Sequence, residues 1–183
     1  MPTIYTHAVV GLGIGQLYLP QRRWWLYLGL ATLLPVVPDF DVLSDAPSNS
    51  SFGHRGITHS LLFALWLAFF AATLTFRPCL AKLWVLTGMF FVAIASHGLL
   101  DAMNKGDMPI PLFWPAIEER FGSWGLIPVA DLGFEWPDPR RSRTLRFEML
   151  WIWLPVGVLI ALTTAVRIVR WRRGLAKEPA GMP

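Results

Sequence analysis

Residues 60–76 read SLLFALWLAFFAATLTF and carry no ionisable side chain. A helix crossing the ~30 Å hydrocarbon core of a bilayer needs roughly 17–25 such residues. The runs 24–37, 83–100 and 147–166 are similarly apolar, interrupted only by His97 and Glu148. Hydrophobic residues make up 54% of the 183-residue chain, and its mean hydropathy is +0.46. A soluble domain of this length would need far more polar surface. The sequence therefore describes an integral membrane protein with a single membrane-embedded domain, residues 1–183.

Five hydrophobic helices are predicted, over 3–19, 24–43, 58–76, 80–103 and 147–171, so the fold class is all-α, a polytopic membrane helix bundle. The first segment contains Gly11, Gly13 and Gly15, which allow neighbouring helices close approach. It has neither a basic leader nor a small-residue cleavage site, and reads as a retained helix. The second opens on the interfacial pair Trp24 and Trp25 and is broken near its far end by Pro35 and Pro38. Thr58 is the expected N-cap of the third. The connection 104–146 is rich in Pro, Gly and Trp. Its length marks it as a functional lid or a small subdomain. The single Cys79 excludes an intramolecular disulfide.

The loop "QRR", the loop "RPCLAK" and the tail "RIVRWRRGLAK" are basic and share one side if every segment crosses. The positive-inside rule makes that side cytoplasmic, with the N-terminus out and the C-terminus in. The connection 104–146 is then extracytoplasmic, although its own "PRRSRTLR" counts against this orientation. Basic residues flanking the spans also explain the net charge of +4 and the pI near 9.7. No nucleic-acid partner is expected.

On this topology the polar residues converge. His7, Asp39, Asp41, His54, His59, His97 and Asp101 all fall at the outer ends of their segments, so all four histidines share one membrane face. His97 and Asp101 are spaced i,i+4, on one helical face, where they can chelate a common ion. The two carboxylates of "PDFD" would repel unless a cation lies between them. "HRGITH" places an imidazole on each side of a glycine turn, so that both can aim at one centre. Such a set suits a divalent metal, zinc first, with manganese or iron as alternatives, as one or two ions. Ionisable groups at membrane depth are costly and functional by default. Arg55 cannot ligate a metal. It either anchors a headgroup or holds a phosphate by paired hydrogen bonds.

An N-terminal "TH", then "PDFD", "HRGITHS" and "SHGLLDAMN", followed by "LFWPAIEERF", together resemble the YdjM-like family of bacterial inner-membrane metal-dependent hydrolases. The resemblance covers about residues 5–121. The family is in turn similar, distantly, to zinc-dependent phospholipase C and to the single-strand-specific zinc nucleases. It implies that His7, Asp39, His54, His59, His97 and Asp101 are metal ligands, and that Asp41 is a ligand or a carboxylate supporting one. Two departures stand out. The soluble enzymes ligate metal through a processed N-terminal amine, whereas Met1 here precedes a membrane segment. They also use a later His and Glu pair, whereas no histidine follows His97. A third metal would need a ligand from Asp131 or Glu135, in a stretch that otherwise reads as a polar turn.

The expected function is a membrane-embedded, metal-dependent hydrolase, a phosphoesterase acting on a membrane lipid or lipid-linked substrate at the outer face. The metal would acidify a water and, with Arg55, stabilise the developing charge. Asp39 or Asp41, if not ligated, would be the general base, which makes Asp41 and Arg55 the catalytic candidates. A lipid amide or ester hydrolase using the same metal site, with Ser60 and Ser96 beside the motifs, is one alternative, and a non-catalytic metal-binding protein is another. Transport is disfavoured because the inner halves of the segments carry no acidic residue.

Overall fold

Proline decides the shape of the second segment. α1 (Ile4–Leu17) is followed by α2 (Trp24–Leu33), which tightens into a 3-10 helix over Leu34–Leu43. Pro35 and Pro38 cannot donate the backbone bonds that an α-helix requires there, so the chain winds more tightly towards the membrane face. The computed structural model describes residues 2–18, 23–47, 50–75, 80–104, 108–122, 124–127 and 139–173. A short 3-10 turn, Ile57–His59, leads into α3 (Leu61–Thr75), and α4 (Leu80–Ala102) follows. The last rod is α5 (Pro139–Glu148), a π turn at Met149–Trp153 and α6 (Leu154–Arg172). Among the described residues there are no strands, only two isolated bridges.

Three stretches are long and apolar enough to cross a membrane: Trp24–Leu43, Lys82–Ala102 and Thr144–Arg170. α1 and α3, at 14 and 15 residues, rise only about 21–23 Å, short of a ~30 Å core. α1 lies inside the bundle. A Cβ at Gly11 would stand 2.1 Å from the Ala31 carbonyl oxygen, and one at Gly13 would stand 2.7 Å from Val156. The glycine face therefore holds α2 and α6 at backbone distance. α3 meets α4 through Ala64, Ala68, Ala71 and Ala72, which pack with Leu86, Phe90 and Ile94. Small residues at a helix interface are how helices associate where no hydrophobic gain separates lipid from protein. α6 turns Leu154, Val158, Leu162 and Val166 outward.

Two expectations are corrected. The cap of α3 is Ser60, whose Oγ accepts from the Phe63 N–H at 3.1 Å. Thr58 instead donates to Asp41 Oδ2 at 2.7 Å. The final helical rod begins at Pro139 and not near 147, because low hydropathy marks the membrane boundary and not the end of a helix. Part of the 104–146 connection folds back over the C-terminal end of α4. Ile110 bridges Phe121, Ala102 packs with Ile110 and Leu112, and the Leu61 N–H donates to the Leu112 carbonyl.

Candidate metal centre

α4 presents His97 and Asp101 from successive turns, with Nε2 of His97 3.7 Å from Oδ2 of Asp101. The 3-10 helix brings Asp39, whose Oδ1 is 3.6 Å from the same Nε2. The turn before α3 brings His59, with Nε2 3.3 Å from Asp101 Oδ2. Each of these four residues offers a ligand atom, and the four atoms lie within 4.8 Å of one another. α1 adds His7, 3.6 Å from Asp101 Oδ1, with its ring centroid 3.9 Å from that of His97. Gly98 lets the loop come this close, since a Cβ there would stand 2.9 Å from the His59 carbonyl oxygen.

These atoms are buried and lack hydrogen-bond partners. Both ring nitrogens of His7 and of His97, Nε2 of His59, Oδ1 of Asp39 and both oxygens of Asp101 are in this state. A single such group costs about 1–3 kcal/mol, so a cluster of them needs a common partner. The donor spacing says which. Ligands held about 2.0–2.2 Å from a tetrahedral ion stand about 3.4 Å from each other; three of the pairs here stand at 3.3, 3.6 and 3.7 Å, and all four atoms lie within 4.8 Å. Two imidazoles and two carboxylates suit a borderline divalent ion. The residues present fit the metal that the sequence implies.

Asp41 stands behind this group. Its Oδ2 accepts from the Arg55 backbone N–H at 2.9 Å and from Thr58 Oγ1 at 2.7 Å, and lies 3.3 Å from His59 Nδ1. Its Oδ1 is 2.7 Å from His54 Nδ1. In a 3-10 helix with three residues per turn, positions i and i+2 point about 120° apart. Asp39 thus faces the centre while Asp41 faces the "HRGITH" loop, and the two carboxylates do not share a cation between them. Asp41 also polarises His59. Burial opposes charge on that ring, but the carboxylates of Asp101 and Asp41, one beside each of its nitrogens, outweigh it and raise its pKa to about 9.

Arg55 adopts a left-handed backbone, φ 62°, and its side chain is buried. Its guanidinium donates to the Met108 carbonyl at 2.6 Å and lies 3.4 Å from Asp101 Oδ2. It therefore supports Asp101 from within. Arg120 ties the same loop to the folded-back connection by donating to the carbonyls of Arg55, Pro109 and Ser50. Sequence reading did not find Arg120 or the Met108 carbonyl, because their contacts run to or from backbone carbonyls that no spacing reveals, and it gave Thr58 a capping role in place of its bond to Asp41. His54 stays outside the four-donor group, its ring centroid 6.3 Å from that of His59. Asp131 and Glu135 lie outside the described residues.

A membrane helix bundle that gathers His and Asp side chains from four segments at one buried point defines a membrane protein with a candidate metal centre. The chain belongs to the YdjM inner membrane protein family, whose model matches residues 1–172. It is 35% identical over 185 residues to the inner membrane protein YbcI of Escherichia coli strain K12, covering 94% of this chain and 99% of that protein. The inner membrane proteins YdjM of the same organism and of Shigella flexneri are each 33% identical over 112 residues, or 53% of either chain. No solved structure matches.

Proposed function

We propose that the protein is a metal-dependent hydrolase of the bacterial inner membrane that cleaves a phosphoester of a lipid or lipid-linked substrate at the outer membrane face. The observation that carries this reading is the group Asp39, His59, His97 and Asp101, buried, unpartnered and spaced as ligands of one ion. A divalent cation there, zinc first, would supply Lewis-acid chemistry towards a phosphoryl oxygen and acidify water. The chain's own part is to hold Asp101 between His59, His97 and Arg55 and to keep His59 oriented through Asp41. The centre lies at the C-terminal ends of Trp24–Leu43 and Lys82–Ala102, which fits a substrate that presents its phosphate at headgroup depth. Arg167, Arg170 and Arg172 occupy the opposite end of the bundle on α6, which supports an N-terminus out and a C-terminus in.

The lipid amide or ester alternative, which uses the same metal site, gains nothing from the two serines beside the motifs. Ser60 Oγ is engaged in capping α3 and in donating to the Ile57 carbonyl, and Ser96 Oγ donates to the Ala93 carbonyl.

The test is metal content of detergent-purified protein without a metal-binding tag, followed by a panel of phospholipids and polyprenyl phosphates assayed for phosphate or alcohol release. About one or two equivalents of metal, lost in a His97→Ala, Asp101→Ala double variant, and release from a member of the panel are expected. No bound metal on titration overturns the reading.

A further inference from the structure

Two apolar recesses open between α3 and the folded-back connection. The smaller, about 260 Å³, is walled by Ile57, Ser60, Phe63 and Trp66. The larger, about 380 Å³, is walled by Leu61, Leu65 and Phe91 on the helices and by Leu112, Phe113 and Ile117 on the connection. Leu62 and Trp114 border both. At about 100° per residue, Leu62 falls between the stripe of Leu61 and Leu65 and the stripe of Phe63 and Trp66. Leu62 and Trp114 are therefore a ridge with a channel on either side. No residue of either wall is ionisable.

The connection is built to stand in hydrocarbon. Pro111 and Pro115 have no N–H, and the N–H groups of Leu112, Trp114, Ala116 and Ile117 bond within residues 110–117. Non-helical backbone is tolerated at membrane depth only where its polar groups are satisfied without water. Charge resumes at Glu118, Glu119 and Arg120, which sets the recesses just below the polar layer. Both adjoin the candidate centre. Ile57 and Ser60, in the smaller, belong to or follow the turn that carries His59. Leu112, in the larger, reaches Gly98 beside His97. A Cβ at Gly98 would stand 3.5 Å from Leu112 Cδ1 and 2.9 Å from the His59 carbonyl oxygen.

We infer that the two recesses seat the two hydrocarbon chains of one phospholipid, which straddles Leu62 and Trp114 with its phosphate at the end of α3 that carries His59. This rests on the hydrolase reading above, of which it names the substrate class: a two-chain lipid and not a single-chain polyprenyl phosphate. A lipid tail gains no hydrophobic energy by leaving the bilayer for an apolar wall. Selection therefore comes from shape, through the close contacts that two parted channels offer to two chains.

The test is native mass spectrometry of the full-length protein in detergent, with dioleoyl phosphatidic acid, oleoyl lysophosphatidic acid and a polyprenyl phosphate as probes. Wild type is expected to bind the two-chain lipid about tenfold more tightly than either single-chain one. Leu65→Trp fills the larger recess and Phe63→Trp the smaller, and neither touches a metal-site residue. Each should abolish the preference while single-chain binding and metal content stay at the wild-type level. Leu162→Trp, on the outward face of α6, should leave the preference intact. Equal affinity for one-chain and two-chain probes overturns the inference. So does a preference that survives both fillings, or a dimer of the chain that excludes lipid, and each of these leaves the hydrolase reading standing. Selective binding without phosphate release from any probe or panel member by the metal-loaded wild type overturns the hydrolase reading, and with it the place of the two recesses in substrate binding.

Discussion

Oδ2 of Asp41 lies 3.3 Å from Nδ1 of His59, and the opposite nitrogen of that ring lies 3.3 Å from Oδ2 of Asp101. The imidazole is therefore strung between two carboxylates, one orienting it and one sharing its target. Carboxylates behind a ligating histidine fix its tautomer and raise its basicity, and losing one typically costs 10–100-fold in metal affinity. Asp41→Asn is expected to weaken zinc binding by about that factor while the full donor group remains. Competition titration with a chelating dye checks this, and an unchanged affinity would show that Asp41 does not orient His59.

The same ring gives a pH dependence. With its pKa raised to about 9, His59 in the metal-free protein carries a proton across neutral pH that any metal must displace. Metal affinity is therefore expected to rise with pH up to about 9 and to fall as pH drops, roughly tenfold per unit for one displaced proton. Stability of the metal-free protein runs the other way. A folded-state pKa above the ordinary 6.5 means that the charged pair stabilises fully below 6.5 and is lost as pH rises through about 9. Thermal unfolding with and without zinc across pH 6–10 checks both signs.

Much of the centre was legible because helical periodicity is rigid. His97 and Asp101 needed only the i,i+4 rule, and the convergence of segment ends on one face followed from alternating spans. What failed was local. "PDFD" reads as paired carboxylates, yet Pro35 and Pro38 impose a 3-10 winding that sends Asp39 and Asp41 to different partners. "HRGITH" reads as two ligands on a turn, yet Asp41 captures the first histidine and aims only the second. Thr58 reads as a cap but serves Asp41, leaving Ser60 to cap α3. Hydropathy located the last span but not the extra turns of α5 before it, which are polar and helical.

Glycine placement separates packing from mere tolerance. Gly11→Ala would set a methyl 2.1 Å from the Ala31 carbonyl oxygen, a backbone atom that no rotamer can move aside. Overpacking of this kind costs about 1–3 kcal/mol or more. A Cβ at Gly29 meets nothing within 4 Å, so Gly29→Ala should be neutral or stabilise α2 by about 0.5–1 kcal/mol. Thermal unfolding in detergent is expected to move down for the first variant and not for the second. Equal behaviour would mean that α1 and α2 do not approach as closely as their glycine contact requires.

Glu148 holds the last rod to the first helix. Its fully buried carboxyl accepts from the Thr3 N–H at 2.8 Å, from Thr3 Oγ1 at 2.6 Å and from Thr6 Oγ1 at 2.7 Å, and Trp153 Nε1 donates to Thr6 Oγ1 at 2.7 Å. The π turn between Glu148 and Trp153 lets both side chains reach the same hydroxyl, the kind of local insertion that π turns supply at functional positions. Thr6 precedes His7, so the clamp sets the depth of the His7 ring as well as docking α5. Glu148→Ala would leave the buried Thr6 hydroxyl and the half-buried Thr3 N–H and hydroxyl without their acceptor, at about 1–3 kcal/mol for the buried one, and is expected to lower the unfolding temperature. Thr6→Val should cost less alone, and the two losses should fall short of additive by about 0.5–3 kcal/mol, as for residues of one hydrogen-bond network. A double-mutant cycle on unfolding reads this directly. Strict additivity would mean that Glu148 and Thr6 stabilise the protein separately and that the clamp does not act as a unit.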